Sequence, residues 1–176
     1  CVSVQQDAKC IGWEPYNWVT AWSAITGSNE NNGCMRMWPG SHKNKLKEHD
    51  QKFNEGNLLT RGQTVENVPI EKTKPIILKA GQMSFHHPAV VHGSGLNKSA
   101  DRRIGFVVQS YIGTNVKQTL GKNSVQLARG IDEFNYHKKI ARPKKLMNED
   151  DIKIKIKENE ELQKIFYNGS NKKGEY

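Results

Sequence analysis

Over roughly its first 115 positions the chain alternates short apolar stretches with clusters of Gly, Asn, Ser and Pro. Runs rich in β-branched and aromatic residues, bounded by such clusters, read as strands. The pattern predicts them at Val2–Gln5, Val19–Ile25, Cys34–Trp38, Pro75–Leu78, Gln82–His86 and Ile104–Tyr111. Turn signals fall between them, at Gly27 to Gly33, Pro39-Gly40-Ser41, Ala80-Gly81 and Gly93-Ser94-Gly95. Many short strands with little helical periodicity predict an all-β sandwich or jelly roll. The polar stretch from His42 to Lys74 is long for a loop in a compact domain, and loops of that kind often cover a site.

Beyond about Gly130 the pattern changes. Arg142-Pro143 marks a break, and Asn148 or Asp150 is placed to cap a helix running to about Tyr167, ended by Asn168-Gly169. Ile152, Ile156, Leu162, Ile165 and Phe166 give that helix a partial apolar face, and Ser170 to Tyr176 read as a frayed end. The expected organisation is a β domain over residues 1–135 and an extension over 136–176 with a charged helix.

Composition narrows the picture. A chain of 176 residues suits one compact domain. Trp13, Trp18, Trp22 and Trp38 place much of its core in the first forty positions. No apolar run is long enough to span a bilayer. The sequence enters strand-like residues at Cys1-Val2-Ser3 without a signal-peptide pattern, so a cytoplasmic protein is expected. Cys1, Cys10 and Cys34 form neither a disulfide framework nor a zinc pattern and read as free thiols. The net charge of +9 raises the question of nucleic acid. In the C-terminal quarter, however, acidic residues interrupt the lysines, which describes a solvated face better than a phosphate track.

Candidate chemistry lies in two places. Gln5 and Asp7 share one side of a strand, because side chains alternate with period two. Some ninety residues on comes His86-His87-Pro88-Ala89-Val90-Val91-His92-Gly93-Ser94-Gly95, and Arg103 follows. A carboxylate, a distant histidine and an arginine suit a metal with a bound carboxylate ligand; Asp7 alone would read equally as a polar strand end. Strand parity groups Arg103 with Gly105, where a missing side chain leaves room for a small ligand. Arg102 falls with Ile104, Phe106 and Val108, an apolar face expected to pack under another layer.

Gln6-Asp7-Ala8, Val19-Thr20-Ala21-Trp22, Asn32-Gly33-Cys34-Met35, Pro39-Gly40-Ser41-His42 and His92-Gly93-Ser94-Gly95 with Asn97 occur in order over a hundred residues. In these motifs the chain resembles the phytanoyl-CoA dioxygenase family of Fe(II)/2-oxoglutarate-dependent oxygenases. The resemblance implies a double-stranded β-helix, a cupin-like jelly roll, and a dioxygenase hydroxylating a small-molecule substrate with O2, Fe2+ and 2-oxoglutarate. It implies Asp7 and His92 as metal ligands, Arg103 as the clamp on the far carboxylate of 2-oxoglutarate, and Ser94 and Trp22 as lining of the co-substrate pocket. It also implies a segment ahead of the metal strand, which the sequence as it stands is expected to lack.

One position departs from the family. Its motif reads His-x-Asp, and here Gln5 stands at the missing histidine. Two other functions stay open: on account of Gln5, a catalytically impaired member that binds a small carboxylate, and, on account of the net positive charge, a basic nucleic-acid-binding β domain. His86 and His87 read as strand-end packing or pocket wall, His42 as part of a turn, and His49 and His137 as solvent-facing loop residues. Nothing in 42–74 matches a motif for a particular substrate, and the sequence leaves the oligomeric state open.

Overall fold

The computed structural model describes residues 1–51 and 63–170. Within it, two compact units form, one from residues 1–9 and 18–112, the other from residues 10–17 and the chain after Ile112. The packing division thus falls at Gly113, ahead of the domain boundary expected at residue 135.

Besides the short paired strands Asp50–Gln51 and Gln63–Thr64, the described strands of the first unit are β1 (Val2–Gln5), β2 (Trp18–Ala24), β3 (Met35–Met37), β4 (Lys74–Pro75), β5 (Met83–His86), β6 (His92–Ser94) and β7 (Gly105–Ile112), and these seven build its two larger sheets. They form a four-stranded sheet in the order β1-β6-β3-β4 and a three-stranded sheet in the order β7-β2-β5. The architecture is a mostly antiparallel, cupin-like jelly roll. Each strand anticipated from the sequence is represented, with bounds shifted by a residue or so except at 75–78. There the ladder stops at Pro75, and Leu78 makes an isolated bridge with Ser28.

The apolar side chains explain the layers. Trp18, Ala21, Trp22 and Ala24 along β2 are all buried, as are Val90 and Val91 in the turn before β6. Gly93 permits a close approach of β6 to β1: a Cβ there would come within 3.0 to 3.1 Å of Val4 Cα and Val2 O. The side of the β7-β2-β5 sheet that carries Phe106 behaves otherwise. Phe106 and Phe85 are more than half exposed, and Ile104 is exposed too, so the layer expected over this face is not supplied by the described residues.

In the second unit, Ile11, Trp13, Val116 and Ile165 are buried. Its helix, Glu149–Phe166, is capped by Asn148, whose side chain accepts from the backbone N–H of Asp150 and Asp151. Ile165 is the buried residue of its apolar face, set against Gly121, where an added Cβ would meet Ile165 Cγ1 at 2.8 Å. Ile156, expected on that face, is half exposed. The helix is held instead through Glu158, whose carboxylate accepts from Ser124 N and Oγ at 3.0 and 2.8 Å. His137 is not a free loop residue: it stacks on Trp13 and contacts the Val116 carbonyl at 2.7 Å. Residues 52–62 of the expected covering segment and 171–176 of the expected frayed end lie outside the described residues. Among those described, no helix is long and apolar enough to cross a membrane.

Candidate metal and co-substrate site

Asp7 lies two positions beyond the end of β1, immediately before the short helix Ala8–Ile11, and is 2 % exposed. Both its carboxylate oxygens are engaged. Oδ2 accepts from the Thr20 hydroxyl at 2.7 Å and lies 3.3 Å from His86 Nε2. Oδ1 accepts from the Gln5 amide at 3.3 Å and lies 3.6 Å from His92 Nε2. Burial pushes the Asp7 carboxyl up, but attraction to His92, with the contacts from His86 and Thr20, outweighs it. The net effect holds the group below the usual carboxylate value.

Both imidazoles are buried as well. His92 opens β6, where it pairs with Gln5 on one side and Met37 on the other. Its Nδ1 sits 3.0 Å from the Val90 carbonyl. Since a carbonyl can only accept, this contact places a proton on Nδ1 and leaves Nε2 as the ring nitrogen that faces Asp7. His86 ends β5 opposite Thr20. Asp7, His86 and His92 each bring one ligand atom to within 4.8 Å of the others. The sequence reading left His86 to packing or pocket wall. The signal that recruits it is the register of β5 against β2, which puts His86 beside the threonine that donates to Asp7.

The two glutamines have different tasks. Gln5 lies against the Asp7 carboxylate. Gln6, fully buried, donates from Nε2 to the Ala89 carbonyl at 2.7 Å and accepts at Oε1 from Lys47 N at 2.9 Å. Its backbone N–H donates to His49 Nε2 at 3.0 Å, and His49 Nδ1 reaches the Lys47 carbonyl at 2.8 Å. His49 is therefore a half-buried structural link, not a solvent-facing residue.

A cavity of about 200 Å³ opens beside these groups, bounded by Asp7, His92, Trp22, Ser94, Arg103 and Gln109 among others. Arg103 is partly buried, and its guanidinium carbon lies 5.5 Å from the centre of a Trp22 ring. Among the described residues no carboxylate pairs with it. Burial, offset in part by Cys34, draws its pKa down from the free value, and the guanidinium keeps its charge in the neutral range. Ser94 Oγ accepts from Val2 N at 3.1 Å, leaving its own proton available to a ligand. The sequence expectation for Gly105 needs correction. A Cβ there would fall within the Trp22 indole, so the missing side chain makes room for the tryptophan under Arg103 and not for a ligand.

Known proteins resemble this chain in sequence and in fold. The family model described as phytanoyl-CoA dioxygenase matches residues 1–105. The peroxisomal phytanoyl-CoA dioxygenase of Mus musculus is 33% identical over 136 residues, covering 74% of this chain and 40% of its own length. The chain thus spans well under half of that relative. Among solved structures, the apo form of the non-heme monooxygenase ThoJ superposes with a TM-score of 0.80 at 27% identity, covering 94% of this chain and 60% of its own. The ThoJ–Ni complex gives 0.70 at the same identity, covering 93% and 58%.

Proposed function

Because the chain belongs to the phytanoyl-CoA dioxygenase family, we propose that it is an Fe(II)- and 2-oxoglutarate-dependent oxygenase acting on a small-molecule substrate. The observation that carries this reading is the shared cavity. A buried carboxylate and imidazole stand at one part of it, and a partly buried arginine with no carboxylate partner among the described residues stands at another. Carboxylate and imidazole are the donor set that non-haem iron oxygenases use while leaving positions open for ligands.

The residues divide the work as follows. Asp7 and His92 would hold the iron, with Asp7 kept ionised by its surroundings and His92 kept in the tautomer that offers Nε2. Arg103, stacked on Trp22, would grip the distal carboxylate of 2-oxoglutarate through its planar fork, and Ser94 would donate to the same group. Iron bound here would activate O2 together with 2-oxoglutarate, coupling its decarboxylation to succinate with oxidation of a substrate C–H bond. The chain's own part is to bind, orient and shield. The three cysteines, none in a disulfide, support a reducing, cytoplasmic setting.

A second reading, a binding protein without turnover, is favoured by Gln5 at the position where the family places histidine. Succinate release separates the two. With Fe(II), ascorbate, O2 and 2-oxoglutarate, even without substrate, the oxygenase forms succinate slowly, and Asp7→Ala abolishes it. Saturable binding of 2-oxoglutarate with no succinate would favour the binding protein.

A further inference from the structure

We propose that His86 supplies the metal ligand that Gln5 cannot, so that the centre is formed by Asp7, His86 and His92. The inference rests on the iron site proposed above and names its third protein ligand. Gln5 is then an outer partner, donating to Asp7 and not binding metal.

Three observations converge on His86. First, donors about 2.1 Å from one ion and at right angles to each other lie about 3 Å apart. His86 Nε2 is 3.3 Å from Asp7 Oδ2, and His92 Nε2 is 3.6 Å from Asp7 Oδ1, so small adjustments close the set on an ion. Second, neither ring nitrogen of His86 has a partner with hydrogen-bond geometry among the described residues, although its side chain is 4 % exposed. A buried imidazole in that state is costly unless an ion or another ligand engages it. Third, the loop from His86 to His92 is pinned on both sides of Asp7. Gln6 Nε2 donates to the Ala89 carbonyl at 2.7 Å, and Ala8 N donates to the Pro88 carbonyl at 3.0 Å. The residues flanking the carboxylate thus hold the loop that joins the two histidines, which fixes three donors from two sheets before any metal arrives.

Gln5 is the rival ligand. It is buried and opposite His92 in register, but its amide is directed to Asp7 Oδ1 through Nε2, a donor that cannot bind a cation. Bonding of that kind to a ligating carboxylate is what an outer partner of a metal site does.

Co(II) tests the assignment without turnover. In the proton NMR spectrum of the Co(II)-loaded full chain, each coordinated histidine contributes one strongly shifted, exchangeable imidazole N–H resonance. We expect two such resonances, one of them lost in His86→Ala, with Co(II) affinity falling at least tenfold in that variant. His86→Gln should behave likewise and, being closer in volume, guards against collapse of the site. One resonance in the wild type, surviving His86→Ala and lost in His92→Ala, would overturn the role of His86 while leaving the iron site at Asp7 and His92 intact. No shifted resonance and no Co(II) binding by folded protein would overturn both.

Discussion

His86 Nε2 and Asp7 Oδ2 face each other at 3.3 Å, although 79 residues separate them and His86 ends a strand while Asp7 lies in the turn after β1. The link between them is Thr20. It pairs with His86 in the β2–β5 ladder and donates its hydroxyl to the same carboxylate oxygen. A group of donors able to hold a metal ion is thereby assembled by strand register, not by local sequence.

That hydroxyl has a consequence for acid stability. Asp7 is held below its ordinary value of 3.8, so its contribution to the metal-free protein is fully present above that value. It is lost as pH falls through the lower folded value. Thr20→Val removes one of the contacts that depress the group while nearly conserving volume. Acid unfolding, followed by circular dichroism in chelator, should therefore begin at a higher pH in Thr20→Val than in the wild type. At pH 7 the loss of the buried bond should cost about 1 to 2 kcal/mol.

Arg103 offers a test of co-substrate binding that leaves the metal alone. Arg103→Ala should weaken 2-oxoglutarate binding roughly tenfold to a hundredfold, the scale of one or two hydrogen bonds to a charged group. Arg103→Lys should recover only part of it, since lysine keeps the charge but not the planar fork or the stack on Trp22. Isothermal titration of the Co(II) form with 2-oxoglutarate measures both, and Co(II) affinity without 2-oxoglutarate should stay unchanged.

Gln6 carries stability without chemistry of its own. Gln6→Ala removes two buried side-chain hydrogen bonds and leaves the Ala89 carbonyl and Lys47 N–H in search of partners. Urea denaturation should show a loss of about 2 to 4 kcal/mol. Metal affinity should fall as well, because the loop between His86 and His92 loses one of its pins.

Much of this was legible in the chain. Alternation along Val2–Gln5 and the turn residues between strands marked the sheets, and Asn148 marked the helix start, because these signals are local. Asp7, His92 and Arg103 stood out through motifs whose order survives in the sequence. His86 did not, because its role depends on which residue it faces across a ladder formed by a strand some sixty positions earlier. Gly105 misled for a related reason: an absent side chain shows that space is needed but not that Trp22 fills it. Glu158 was invisible too, since a charged residue on a helix reads as solvated until its partners at Ser124 are known.

In the proposed function this chain holds iron and 2-oxoglutarate together in the cavity between Asp7 and Arg103. Anaerobic titration of the protein with Fe(II) in the presence of 2-oxoglutarate tests it most directly, through the visible charge-transfer band of the chelate. The account predicts a saturable band in the wild type that disappears in Asp7→Ala. A folded wild-type protein that develops no band at saturating Fe(II) and 2-oxoglutarate would contradict it.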